Sequence, residues 1–249
     1  MGSCLEKYLR QIPLISLHGF LGVPGDFSFL KSISDSIVHL DYFKDPLLSP
    51  AHSWAEWGVR FWQHPQIKDL ESLILVGYSL GGRLATQAFI QAPHRVKALV
   101  LISSAIEPIP VSERDLRQVQ DEKWAESFLT QEWNDVIRAW NSQKVFLNSQ
   151  EPERHEDHYH RRSLAQALVN WSPVHMLDVN SVLKQHREKI MVIAGESDSK
   201  YSQAFLNLQE RGVISHLQII SNAGHRTIFD QPAAVTHAIE RFLQDVDKK

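Results

Sequence analysis

Apolar residues fall in short unbroken blocks up to Ile102 and again from Ile190, and recur every third or fourth position between those regions. The blocks Ile12–Leu17, Ser36–Asp41, Leu73–Val76, Val96–Ile102, Ile190–Gly195 and Leu217–Ile220 are too short for helices and rich in Val, Ile and Leu, which predicts strands. Helices are expected between them: near Phe27–Ile33, over Arg83–Phe89, over Tyr201–Gln209 and over Pro232–Val246. Trp54, Trp57 and Phe61 are spaced for a further helix whose aromatic stripe faces a core rather than a cofactor. Asp45–Ser53, with Pro46 and Pro50, reads as a loop.

From Glu107 to Lys184 the β-branched runs vanish and charges become dense. Helices are expected at Ser112–Leu129, Glu132–Asn141 and Glu153–Asn170. Strands that alternate with helices predict an α/β fold, a mostly parallel sheet covered on both faces. Residues 1–106 and 185–249 then form the core of a single compact domain. Residues 107–184 form a helical cap inserted after one strand, over the carboxyl edge where open sheets of this class bind ligands. No internal repeat or interdomain linker interrupts the pattern.

One strand block ends in chemistry. Leu73-Ile74-Leu75-Val76 runs into Gly77-Tyr78-Ser79-Leu80-Gly81 and then into a helical segment. Strand, sharp Gly-x-Ser-x-Gly turn and helix is the setting of a nucleophile elbow, which lifts a serine hydroxyl above the sheet edge. A serine needs a base to take its proton and a third group to orient that base. Asp198 follows the strand Ile190–Gly195, with Glu196 as the fallback acid, and His225 follows the strand Leu217–Ile220 in Asn222-Ala223-Gly224-His225. Ser79, Asp198 and His225 are therefore the catalytic candidates. Backbone N–H groups of Leu80 and of Phe20, in His18-Gly19-Phe20-Leu21-Gly22, are the candidate oxyanion hole. Arg83 lies one helical turn beyond Ser79 and reads either as a clamp for a substrate carboxylate or as an exposed helix residue.

Composition narrows the field. A net charge of -3 over 249 residues gives no electrostatic case for nucleic acid or for an anionic membrane. No apolar stretch reaches the roughly 18 residues of a membrane span. Cys4 is the single cysteine, so neither an intrachain disulfide nor a thiolate metal cluster is expected. Met1-Gly2-Ser3-Cys4 fits neither acylation pattern, because Glu6 stands where Ser or Thr is needed and no signal region precedes Cys4. His155-Glu156-Asp157-His158-Tyr159-His160 reads as a charged exposed helix and not as a metal site. A cytoplasmic, monomeric enzyme with a small-molecule substrate is expected.

Together these residues resemble the α/β-hydrolase superfamily, and within it the 2-succinyl-6-hydroxy-2,4-cyclohexadiene-1-carboxylate synthases of menaquinone biosynthesis. The resemblance rests on Leu17–Gly22, Val76–Arg83, Lys123-Trp124-Ala125-Glu126-Ser127-Phe128-Leu129, Trp140 ahead of Val145-Phe146, Gly195–Tyr201 and Ala223-Gly224-His225. It implies the α/β-hydrolase fold, the triad Ser79, Asp198 and His225, and substrate contacts at Tyr78, Arg83, Arg117 and Trp140. A further cap arginine corresponds to Arg161 or Arg162. It implies elimination of pyruvate from a substrate with three carboxylates, with Ser79 as the base and with neither metal nor organic cofactor. Two features depart from the family pattern. The first strand begins without the usual N-terminal hairpin, and Asp45–Pro50 lacks a Gly-His-Gly. The competing expectation is a serine hydrolase of small esters or thioesters, which would favour an apolar cap; a catalytically inactive scaffold is opposed by the intact triad.

Overall fold

The structure is a computed structural model that describes residues 10–246. Cys4, the N-terminal acylation pattern and the expected absence of a hairpin lie outside the described residues. Six parallel strands form one sheet: β1 (Leu14–Leu17), β2 (Ile37–Leu40), β3 (Leu73–Tyr78), β4 (Val96–Ile102), β5 (Ile190–Gly195) and β6 (His216–Ile220), in the order β2-β1-β3-β4-β5-β6. All six strand blocks seen in the sequence are present.

The unbroken apolar runs have a physical reason. Alternate residues of β3 enter opposite cores: Leu73 and Leu75 face one, Ile74 and Val76 the other. Each fully buried aliphatic side chain contributes about 1.5–3 kcal/mol. One core is closed by α1 (Trp54–Gln63), α2 (Leu80–Gln91) and later by α7 (Ser199–Glu210); the other by a kinked 3-10 segment, Pro24–Ser32, by the short α8 (Thr227–Asp230) and by α9 (Pro232–Val246). The Phe27–Ile33 segment is thus 3-10 rather than α-helical, with Phe27 out of helical geometry. Helix α1 starts where Ser53 and Glu56 cap each other: Ser53 Oγ accepts from Glu56 N at 3.4 Å and Glu56 Oε2 accepts from Ser53 N at 2.9 Å. Trp57 and Phe61 are fully buried on its inner face, so that stripe is core.

Between β4 and β5 lie α3 (Val111–Thr130), α4 (Trp133–Asn141), α5 (Arg161–Asn170) and α6 (Asn180–Gln185). The expected helix Glu153–Asn170 forms only in its second half. Residues 153–160 instead stretch across the loop after β1, with one 3-10 turn at Glu156–His158. Tertiary contacts override the local helical pattern here. Arg154 is bidentate on Asp26 at 3.0 and 2.9 Å, its carbonyl accepts from Trp133 Nε1 at 2.7 Å, and Tyr159 Oη donates to Leu21 O at 2.8 Å. The His155–His160 segment is therefore not a helix. Among the described residues no group of three or more His, Cys, Asp or Glu is placed to hold a metal, and no helix is long and apolar enough to cross a membrane.

Candidate active site

The chain leaves β1 for β2 on one side and returns to β3 on the other, so the carboxyl ends of β1 and β3 flank a crevice. The loop after β1 brings Phe20 to it, and the turn after β3 brings Ser79. Ser79 has φ 51° and ψ −113°, a strained backbone for a residue with a side chain. Hydrogen bonds hold it there: Ser79 N donates to Ile102 O at 2.9 Å, and Ser104 Oγ donates to Ser79 O at 2.8 Å. Two glycines permit the close packing. A Cβ on Gly81 would strike the Leu17 and His18 carbonyls, and one on Gly77 would strike the backbone of Gly81 and Gly82.

Ser79 Oγ lies 3.2 Å from His225 Nε2, and His225 Nδ1 lies 2.8 Å from Asp198 Oδ2. Because a carboxylate only accepts, Nδ1 carries the proton and Nε2 is free to accept from Ser79. The His225 and Asp198 side chains are only 4% and 3% exposed, which shields the pair from water. Glu196, the fallback acid, is exposed and accepts from Asn222 N at 3.4 Å. The sheet therefore brings Ser79, His225 and Asp198 together in the order proton donor, acceptor and orienting acid. Leu80 N is among the first amides of α2, which have no intrahelical acceptor, and both Leu80 and Phe20 line the cavity onto which Ser79 opens.

That cavity holds about 680 Å³, with walls from the sheet edge on one side and from α3, α5 and residues 140–146 on the other. Arg83 reaches it. Its Nη1 donates to Trp171 O at 2.8 Å and its guanidinium lies 5.6 Å from the Trp54 ring centre, with no carboxylate in ion-pair contact among the described residues. Burial, then the neighbouring Arg117, pulls its pKa down to about 10, so it remains a cation at neutral pH. Arg117 also lines the cavity but is tied to Asp121, Nε to Oδ2 at 2.8 Å, and Asp121 accepts from Ser172 Oγ at 2.6 Å. Lys144 and Lys200 add exposed cations at the rim, while Glu107 is engaged by Asn180 and Arg211.

Trp140 stands in the wall, 4.7 Å from Phe20 and 4.9 Å from Trp124 between ring centres. Tyr78 is buried with its ring 5.8 Å from His225, and it borders a smaller compartment that Ser79 also lines, and not the large cavity. Arg161 does not line either cavity. Its Nε binds Glu156 at 2.6 Å and its Nη1 binds the carbonyls of Phe128 at 3.2 Å and Gln131 at 2.5 Å, at the carboxyl end of α3, where a cation is favoured. Arg162 is exposed and lines neither cavity. Arg226 is a cation at the site that the pattern of residues did not single out. It is 6% exposed and its one signal in the sequence is its place directly after His225.

The sequence pattern described as the Alpha/beta hydrolase family matches residues 14–238, and the chain belongs to that family. Among curated relatives, the putative 2-succinyl-6-hydroxy-2,4-cyclohexadiene-1-carboxylate synthase of Bacillus subtilis is 27% identical, over 94% of this chain and 90% of the relative. The 2-succinyl-6-hydroxy-2,4-cyclohexadiene-1-carboxylate synthase of Citrobacter koseri is 30% identical over 68% of each chain. Among solved structures, MenH from S. aureus superposes with a TM-score of 0.80 at 20% identity, covering 95% of this chain and 94% of the other, a likeness of fold.

Proposed function

We propose that this protein eliminates pyruvate from 2-succinyl-5-enolpyruvyl-6-hydroxy-3-cyclohexene-1-carboxylate, giving 2-succinyl-6-hydroxy-2,4-cyclohexadiene-1-carboxylate. The observation that carries this reading is Arg83: a cavity-lining arginine with no carboxylate of its own, one helical turn from a serine joined to a buried His–Asp pair. A pocket for neutral esters gains nothing from such a cation, whereas a polycarboxylate supplies its partner. Arg117 adds a second cation to the cavity wall, one that already has Asp121 as a partner.

The reaction follows from these placements. His225 Nε2 takes the Ser79 proton, and the serine oxygen removes the ring C2 proton next to the succinyl carbonyl. The electron pair moves onto that carbonyl oxygen, where the Phe20 and Leu80 amides offer hydrogen bonds. It returns through the ring: C2=C3 forms, the C3=C4 double bond shifts to C4=C5, and the bond from C5 to the enolpyruvyl oxygen breaks. The leaving enolate takes a proton at carbon and becomes pyruvate. One proton and one leaving group move and nothing is oxidised, so the reading calls on no redox cofactor. It also places the protein in the cytoplasm, acting on a small polycarboxylate.

The test is pyruvate release from that substrate by purified protein, set beside Ser79→Ala to subtract spontaneous decay, with a short-chain nitrophenyl ester in parallel. Serine-dependent pyruvate release far exceeding ester cleavage is expected. Release no faster than that of Ser79→Ala, with brisk ester cleavage, would replace the reading with a serine hydrolase.

A further inference from the structure

Beside the large cavity, and sharing Phe20, Ser79, Trp140 and Phe146 with it, lies a second compartment of about 60 Å³. Tyr78, Asn141, Phe146, Arg154, Arg226 and Phe229 are among its walls. At roughly 10–15 Å³ for each water, it has room for a carboxylate and the carbon that bears it. Two arginines face it, and their circumstances differ. Arg154 is neutralised by its bidentate pair with Asp26. Among the described residues Arg226 donates from its side chain only to neutral oxygens, Gln150 O at 3.2 Å and Asn141 Oδ1, while its guanidinium lies 4.2 Å from the Phe146 ring centre. The acidic groups in its field are engaged by others. Glu151 accepts from Asn141 Nδ2, and Asp230 accepts from Ser149 Oγ at 3.0 Å, Gln150 N at 2.7 Å and Gly224 N at 2.9 Å. The compartment thus keeps a buried, planar cation with no contacting anion among the described residues, an arrangement that is costly unless a ligand completes it. Tyr78 adds a hydroxyl that makes none of the described hydrogen bonds.

We propose that this compartment is an anion subsite for a small planar carboxylate, with Arg226 as its partner, and that its occupant is the carboxylate of the departing three-carbon arm. The identity of the occupant rests on the elimination proposed above; the anion site itself does not. Size assigns the arms. The ring and the succinyl chain need the large cavity, where Arg83 and Arg117 stand, and only a short arm fits the small compartment. The subsite then holds the leaving group beside Ser79, next to the ring, and pyruvate remains its ligand after the bond breaks. The third carboxylate is met by the core residue Arg226, with Arg161 committed to the end of α3.

The probe is pyruvate itself, titrated calorimetrically into the full-length protein. Measurable binding is expected, weakened tenfold or more in Arg226→Gln and less in Arg226→Lys, which keeps the charge and loses the planar fork. Because Arg226 also ties Asn141 and Gln150, a measurement on the unaltered protein stands beside the variants. The pyruvate methyl is expected to give a nuclear Overhauser effect to the Phe229 ring, which borders the small compartment and not the large one. Unchanged affinity in folded Arg226→Gln, loss in Arg83→Gln instead, or an Overhauser effect to Trp124 and none to Phe229 would overturn the subsite. Arg226-dependent pyruvate binding without serine-dependent elimination would uphold the anion site and reject the proposed reaction.

Discussion

The two walls of the large cavity are held by different means. The sheet-edge wall positions its groups through backbone: Ser79 by the Ile102 carbonyl, Asp198 by its place directly after β5, His225 by the turn after β6. The helical wall between β4 and β5 is anchored by side chains that reach across long stretches of chain. Trp54 Nε1 donates to Ser172 O at 3.3 Å, Trp171 Nε1 to His52 O at 2.9 Å, and Asn170 Nδ2 to Pro50 O at 2.8 Å. Strand ends are set by the ladder, whose register leaves little choice, whereas the helical wall has as many possible arrangements as it has polar anchors. The difference teaches where a reactive group can be placed with accuracy and where a binding surface can be altered without disturbing it.

Substitutions on each side should separate these roles. Ser79→Ala is expected to have the largest effect, lowering kcat about 10⁴-fold or more while leaving the thermal midpoint nearly unchanged, read by pyruvate release and calorimetry. Activity within tenfold of the unaltered protein would remove Ser79 from the chemistry. Gly81→Ala attacks the same wall through its backbone. The added methyl meets the Leu17 and His18 carbonyls, so a loss of about 3 kcal/mol in urea denaturation is expected, with activity lost in parallel.

From α2, Arg83 reaches the helical wall at Trp171 O, and Arg83→Gln should raise KM for the polycarboxylate by about 100-fold, the worth of a charge-assisted hydrogen bond in a partly desolvated site. Hydrolysis of a neutral nitrophenyl ester should change little. An equal loss on both substrates would mean that Arg83 supports the fold and does not bind substrate. Arg161→Gln should have the smallest effect: about 1 kcal/mol of stability, from the lost contacts at the end of α3, with KM within twofold. A large rise in KM would return Arg161 to the list of substrate contacts.

Much of this was legible in the sequence because it depends on local order. Leu73–Val76 is apolar at every position since β3 is buried on both faces, and Gly-x-Ser-x-Gly marks a turn that few other sequences can make. Chain order and strand ends sufficed to bring Ser79, Asp198 and His225 to one edge, because each strand of a parallel sheet delivers its last residues to the same side. No local signal reports on a guanidinium at the end of a long, flexible stem. Arg161 stands between His160 and Arg162, and Arg226 directly after His225, and what separates them is which carbonyls, carboxylates and rings lie within reach. The half-helix at 153–160 has the same origin: Arg154 and Tyr159 find Asp26 and Leu21, residues more than a hundred positions away, and those contacts outweigh the helical tendency. Periodicity and turn chemistry thus determined the strands and the elbow, which are local, and the parallel order of the strands then carried Ser79, Asp198 and His225 to one edge. The charges of the pocket were decided only by tertiary structure, since the cost of a buried cation depends on what the fold brings beside it.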